Sequence, residues 1–359
     1  MSNSIEVSGS PGVSRLRISD LTVFIARVFE SLGFPVGDAD RAAFLMAEAD
    51  AWGADAHGVF RLPMYVKRVQ NGGINPRPKM RIVHEQPATA LLDGDNAMGH
   101  LCMSRAAEIA IEKARTLGAA WVGVRNSNHA GAGSLYARMP LPHDMIGLYA
   151  AVGGANLLPP WGGTEKLLST NPLAIAVPGS KRPAIVLDMA TTNASFGKIK
   201  VKAQRGEPMP EGWMIDREGN PLTDPQKALE GFLLPIGGAK GYGLALMIGL
   251  LGGILNGATF GKSAIDFSTD HSTITNTGQL LIAVNIAAFA DVQEFKAGVD
   301  EIWDQMKSSP KLPGVDEVRL PGERSAKIYE DRKRNGLPLS PELRRVLDEL
   351  ADNLQVPRL

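Results

Sequence analysis

The sequence predicts a mixed α/β fold, and three observations predict it. Strand-length and helix-length apolar patterns alternate through the middle of the chain, the residues from 15 to 72 read as helices, and the chain closes on another helix. The alternation does not fall into clean β-α-β units. Nor does any Gly-x-Gly-x-x-Gly or Gly-x(4)-Gly-Lys-[Ser/Thr] occur among the 39 glycines, so neither an ordinary Rossmann domain nor a P-loop is supported.

Taken in order, Arg17-Ile18-Ser19-Asp20 offers a capped helix start, and Gly33 with Pro35 separates that helix from the next. The spacing of Ala42, Phe44, Leu45, Ala47 and Ala49 predicts a helix ending near Trp52-Gly53. Another is predicted from Gly58 through Met64, Val66 and Val69 to the stop at Asn71-Gly72-Gly73. Pro76, Pro78 and Pro87 mark a change of regime, and strand-like pieces follow from Arg81, among them Ala88 to Leu92 before the turn Asp93-Gly94-Asp95-Asn96. Met103 to Leu117 is amphipathic and stops at Gly118. Ala119 to Arg125 is a short apolar strand, a helix is expected from Ser134, and strands at Ile146 to Val152, Ala174 to Val177 and Ala184 to Met189. Lys198 to Gly231 is a long polar segment, whose run from Arg205 to Trp213 holds too many prolines and glycines for regular structure. Leu280 to Ile286 reads as a strand, and Val292 to Ser308 and Pro341 to Leu354 as helices.

The strongest apolar run is Gly241 to Leu255. A membrane span needs about 20 apolar residues, and this run is shorter and broken by Gly243, Gly249, Gly252 and Gly253. The expectation is a buried helix, apolar all round.

Composition narrows the function. Lys plus Arg and Asp plus Glu are equal at 38 each, so no charge excess points to nucleic acid or an anionic membrane. Cys102 is the only cysteine, which excludes an intrachain disulfide. Residues 1 to 14 are polar and lack an apolar signal core; a disordered lead-in and a cytoplasmic home are expected by default. The six histidines are scattered, with no His-x(3)-His or cysteine pair, so no metal is expected. Without a Gly-x-Ser-x-Gly elbow, serine hydrolase chemistry lacks its usual turn.

Several short polar clusters remain. Asp55-Ala56-His57-Gly58-Val59-Phe60-Arg61 packs a carboxylate, an imidazole and a guanidinium into seven residues. His57 can hand a proton to a nascent alkoxide, and Arg61 can grip a carboxylate with its fork. A structural histidine and a surface arginine are the competing reading. His129 lies among small residues in Asn126-Ser127-Asn128-His129-Ala130-Gly131, which would admit a ligand, although loop histidines are commonly just solvated. Ser169-Thr170-Asn171-Pro172 offers carboxylate donors or is a plain turn. Asp188 closes an apolar strand ahead of Met189-Ala190-Thr191, where it serves a site or caps a helix. Lys240-Gly241-Tyr242-Gly243 opens the apolar helix, and its amides and lysine could hold a phosphate or cap a neighbouring loop.

The order of these clusters resembles the malate/L-lactate dehydrogenase family of nicotinamide-dependent oxidoreductases, which includes ureidoglycolate, sulfolactate, diketogulonate and cyclic-imino-acid enzymes. The resemblance runs from about Ile18 to Leu347. It is carried by Asp55 to Pro63, Asn126 to His129, Thr170 to Ala174, Leu187 to Ala190, Arg205 to Pro208, Lys240 to Leu244 and Leu320-Pro321-Gly322-Glu323. It implies a non-Rossmann dinucleotide-binding sheet, largely antiparallel and flanked by helices, with a helical domain built from both ends of the chain. The divisions expected are a helical segment at 15–80, a cofactor- and substrate-binding sheet domain at 81–325 and a C-terminal helical segment at 326–359. A homodimer with the site near the interface is also implied.

The resemblance further implies NAD or NADP as cofactor, His57 as the catalytic histidine and Arg61 as the substrate arginine. It puts the second active-site histidine at His129, and cofactor contacts at Asp188, Met189, Ala190, Thr191, Lys240, Gly241, Gly322 and Glu323. The reaction expected is interconversion of a small 2-hydroxy acid and its 2-keto acid. Thr170 and Asn171 would help Arg61 hold the carboxylate, and Asp188 or His129 would orient His57, the cofactor or the substrate. Many relatives have Ser where this chain has Ala56 and Phe where it has Ala130, so a lost hydroxyl contact and a wider pocket are expected. Reduction of a cyclic imine and a catalytically silent ligand-binding role remain as other readings.

Overall fold

A computed structural model describes residues 14–359, apart from the side chains of residues 204 and 205. The lead-in at 1–13 lies outside the described residues. Ser14 is already in a strand, so the boundary expected at residue 14 falls at least one residue too late.

The chain begins with β1 (Ser14–Leu16), α1 (Ile18–Ser31) and α2 (Val36–Ala51), and α3 (Leu62–Gln70) follows. Next come β2 (Arg81–Gln86), β3 (Thr89–Asp93), α4 (Gly99–Leu117), β4 (Ala119–Ser127), α5 (Gly133–Arg138) and β5 (Met145–Ala151). The middle holds β6 (Leu173–Val177), β7 (Ile185–Met189), α6 (Phe196–Arg205), β8 (Met214–Ile215), β9 (Phe232–Leu233) and α7 (Ala239–Gly252). The last part is β10 (Thr277–Asn285), α8 (Val292–Ser308), α9 (Glu323–Asn335), β11 (Leu337–Leu339) and α10 (Pro341–Leu354).

Seven strands form the central sheet in the order β2-β3-β4-β10-β5-β6-β7, and only β3 and β4 run parallel. The sheet is therefore mostly antiparallel, as expected. Its middle strand β10 sorts side chains by the two-residue period of a strand. Leu281 and Ala283 join the core under α4, with Val122, Val124, Ala106 and Ala110. Leu280 faces the other way and packs with Ala150 and Ile248 of α7. Helix α4 stops at Gly118, whose φ of 83° is open to glycine and strained for other residues.

The helical ends form a separate apolar cluster. Phe24, Ile25, Val28 and Phe29 of α1 meet the alanine-rich face of α2, together with Leu62, Tyr65 and Val66 of α3 and Leu347 and Ala351 of α10. The pairing of β1 with β11 ties the two ends together.

Four expectations need correction. Helix α3 begins at Leu62, and residues 58–61 form a tight turn instead. Pro63 accounts for this, because a helix from Gly58 would carry the proline in its second turn, where it clashes with the carbonyl four residues back. The polar segment from Lys198 contains most of α6, whose N-cap Ser195 accepts the Lys198 N–H. Helix α9 begins at Glu323, ahead of the helical segment expected from residue 326. Helix α7 is not buried all round. Its Ala245, Ile248, Gly249 and Gly252 face inward, while Met247, Leu250 and Leu251 stay exposed, with Ile254 and Leu255 beyond. By length and composition Ala239–Asn256 could cross a membrane, with 39% of it buried. The inward face is fitted closely to the sheet: a Cβ on Gly278 would lie 2.1 Å from the Gly252 carbonyl oxygen.

Candidate active site

The loop from 52 to 61 is held from below on both sides of His57. Arg332 of α9 donates to the Asp50 carbonyl oxygen and, through both terminal nitrogens, to the Asp55 carboxylate. The buried Asp50 carboxylate accepts the Val59 N–H at 2.8 Å, and burial pushes its pKa well up. Gly58 lies so close to that carboxylate that a Cβ would come within 2.2 Å of Oδ1. Arg61 is anchored by Nε to the Ala56 carbonyl oxygen at 2.8 Å, which leaves the rest of its guanidinium for other partners.

β4 delivers His129 to the same place. The His57 and His129 rings lie 5.8 Å apart with 18° between planes, and Phe267 stacks on His129 at 4.8 Å. Tyr65 of α3 brings its hydroxyl 2.6 Å from His129 Nδ1. Burial lowers the pKa of His57, with Arg61 adding to the effect and Asp188 opposing it. His129 is lowered well below its usual value by burial, then by Arg61, His57 and His100. Burial thus disfavours the protonated form of both rings, and more strongly in His129. Asp188, at the end of β7, accepts the Ser134 N–H at 2.9 Å and lies within electrostatic reach of His57.

The remaining predicted residues divide into open groups and supports. Thr170 is half-buried, with no partner for its hydroxyl among the described residues. Asn171 is different: it is fully buried at φ 22°, accepting from the Gly153 N–H and donating to the Ala245 carbonyl oxygen. These two bonds and its complete burial make it a support that holds the loop. Thr191 is likewise buried and donates its hydroxyl to the Thr170 carbonyl oxygen, while its own carbonyl accepts from Ile236. Those bonds seat the 188–193 loop between Thr170 and the turn that opens α7. Met189 and Ala190 are half-buried on that loop.

At the turn, Gly237 and Gly238 both take positive φ, and exposed Lys240 follows in the first turn of α7, beside Gly241. No carboxylate pairs with Lys240 among the described residues. The amides of the first turn and an unpaired lysine make a donor set suited to a phosphate-bearing cofactor, with the Trp161 ring close to Gly238. Glu323 departs from expectation. Its carboxylate is buried against Lys307 at 2.8 and 3.0 Å and accepts the Leu320 N–H, so it anchors α9 and is not free for a cofactor. Gly322 is explained by packing, since a Cβ there would lie 2.9 Å from the Val186 carbonyl oxygen. Ala130 is buried in the core and its carbonyl oxygen accepts from the Tyr136 hydroxyl. Ala56 sits opposite Gly197 of α6. Among the described residues no group of three or more His, Cys, Asp or Glu could hold a metal.

Tyr65, Phe267 and Trp161 were missed. Tyr65 carried a signal, being eight residues after His57 on the helix predicted to start at Gly58; Phe267 and Trp161 come from distant loops with no motif.

Residues 16–348 of the chain match the model of the family described as malate/L-lactate dehydrogenase. The chain belongs to that family. It is 38% identical to a malate dehydrogenase of Pyrococcus abyssi over 344 residues, 94% of this chain and 93% of the relative. The solved sulfolactate dehydrogenase of Methanocaldococcus jannaschii superposes with a TM-score of 0.89 at 38% identity, covering 96% of this chain and 98% of that one. A δ1-piperideine-2-carboxylate reductase structure from Pseudomonas syringae matches with a TM-score of 0.83 at 28% identity, over 94% of this chain and all of that one. Among similar proteins, a ureidoglycolate dehydrogenase of Escherichia coli is named for NAD(+) and a (2R)-3-sulfolactate dehydrogenase of Chromohalobacter salexigens for NADP(+).

Proposed function

We propose that this chain is an NAD(P)-dependent dehydrogenase that interconverts a small 2-hydroxy acid and its 2-keto acid. The observation that carries the reading is the convergence of His57, His129 and Arg61 on one site, within a family whose relatives include malate and sulfolactate dehydrogenases. When bound, the nicotinamide supplies or takes up the hydride at the substrate carbon. Arg61 and the Thr170 hydroxyl hold the substrate carboxylate. His57 protonates the keto oxygen in reduction and accepts the proton in oxidation. Lys240 and the amides of the first turn of α7 hold the cofactor's phosphates, and the 188–190 loop lies against its other parts. The assembly is a cytoplasmic homodimer, and the exposed α7 stripe is the face that a second copy covers.

The experiment is a thermal melt with NADH and with NADPH, followed by turnover of pyruvate, oxaloacetate, sulfopyruvate and a cyclic imine carboxylate. One reduced cofactor should raise the melting temperature, since a ligand selective for the folded state stabilises it, and Lys240→Ala should weaken that shift without unfolding the chain. No shift with either cofactor at millimolar concentration defeats the reading. Turnover of the imine alone moves the activity to imine reduction, the reaction named for the Pseudomonas syringae structure.

A further inference from the structure

The two histidines of the site are not held alike. His57 has no hydrogen-bond partner for either ring nitrogen among the described residues, so nothing within the chain fixes which nitrogen carries its proton. His129 has two groups on one nitrogen: the Tyr65 hydroxyl at 2.6 Å and the Gly131 N–H at 3.4 Å, both directed at Nδ1. A backbone N–H can only donate, so Nδ1 must accept. The Tyr65 side chain is 1% exposed, and its hydroxyl has no other acceptor among the described residues. If Nδ1 carried a hydrogen, that hydroxyl would be buried with its proton unsatisfied and two N–H groups would oppose each other. The proton of neutral His129 is therefore on Nε2, a nitrogen without a partner among the described residues on a ring that stays partly open. Gly131 itself is constrained, with φ 72° and a Cβ position 2.9 Å from His100 Nε2, so the backbone that presents its N–H has little room to turn.

We infer that Tyr65 is a positioning residue that, with the Gly131 N–H, fixes His129 as the neutral Nε2–H tautomer, so that His129 gives the substrate oxygen a hydrogen bond and leaves the proton transfer to His57. The inference rests on the dehydrogenase reading for the word substrate, but the tautomer is a property of the chain alone. The charged and titratable groups around His129 are Arg61, His57, His100 and Tyr65. Burial and these neighbours keep the imidazole neutral, and burial keeps the Tyr65 phenol protonated. In reduction the bond formed is O–H on the substrate and the bond broken is N–H on the His57 imidazolium. His129 keeps its own N–H throughout.

Two measurements test this. Nitrogen-15 correlation spectra of histidine-labelled chain, assigned with His129→Gln, should give His129 a protonated Nε2 and a bare Nδ1; a protonated Nδ1 overturns the inference whether or not the chain is a dehydrogenase. In turnover, His129→Gln keeps an N–H donor that cannot titrate. It should lower kcat/KM by about tenfold or less and leave the pH profile of reduction in place. Tyr65→Phe should lower kcat/KM by a few fold, again with the wild-type profile. A loss of about 10²-fold or more in His129→Gln, or a profile that flattens in it, makes His129 the proton carrier and overturns the assignment.

Discussion

Three histidines meet around Tyr65 and are set apart by what surrounds them. His57 and His129 face the open side of the site, whereas His100 is fully buried, edge-on to Tyr65 at 5.6 Å, with neither nitrogen hydrogen-bonded. Burial, and then His57, depress the His100 pKa to about 3. An unfolded histidine takes up its proton near pH 6.5. Below that pH the unfolded chain binds a proton that the folded chain refuses, so the stability is whole above about 6.5 and falls as the pH drops toward 3. His100→Leu removes this term and two unsatisfied nitrogens. Urea melts should show the variant losing about 2 kcal/mol less than wild type between pH 6.5 and 5; equal losses would show that His100 does not stay neutral. The kinetic contrast at this scale is between His57 and Arg61. His57→Ala should mainly lower kcat, by about 10²–10⁴-fold. Arg61→Ala should mainly raise KM, because a grip made equally in ground and transition states is uniform binding. Reduction by wild type should fall above an apparent pKa that disappears in His57→Ala. Retained turnover in that variant would remove His57 from the chemistry.

Helix α9 shows how an element remote in sequence fixes the site. Its Arg332 is 8% exposed and reaches the Asp50 carbonyl oxygen and the Asp55 carboxylate, both just ahead of His57 in the chain. Arg332→Ala leaves the buried Asp50 carbonyl without that donor. It should cost about 1–3 kcal/mol in stability and lower kcat more than it weakens cofactor binding, measured by melts and by fluorescence titration. Unchanged kcat would reduce the clamp to a purely structural contact. The bonds from Arg332 to Asp50 and Asp55 join residues 282 and 277 positions apart, so this support was not legible in the sequence. The opposite holds for α8 and α10, whose bounds follow from Asp291 and Ser340 at their N-caps and from clear amphipathic spacing. Helix α7 was legible as a helix but not in its setting. Gly278→Ala would press a methyl into the Gly252 carbonyl, and a loss of about 1–3 kcal/mol is expected in chemical denaturation.

For the whole molecule, the consequence lies in the exposed face of α7. Met247, Leu250 and Leu251 form an apolar stripe on a helix whose other face grips the sheet, and Ile254 and Leu255 extend the exposed patch just past its end. Soluble surfaces rarely leave such a stripe uncovered. Light scattering should report a dimer at micromolar concentration, and the pair Leu250→Glu with Leu251→Lys should give a folded monomer. A wild-type monomer, or a dimer untouched by the pair, would put the interface elsewhere or nowhere.

The sequence by itself determined the fold class, most of the strands, the two outer helices and the residues that open the site. Strand and helix periods are local properties, and Asp55 to Arg61 sit together because they are adjacent in the chain. It also showed that no Gly-x-Gly-x-x-Gly fingerprint of an ordinary Rossmann domain is present. Only the tertiary structure decided which predicted residues remain free. Asn171, Thr191 and Glu323 have the right chemistry for ligands, yet each is already satisfied by a distant partner: Ala245, Thr170 and Lys307. Hydrogen bonds between residues 16 to 74 positions apart leave no periodic trace. The same reason hid the tautomer of His129, which depends on where a phenol from α3 and a loop N–H converge.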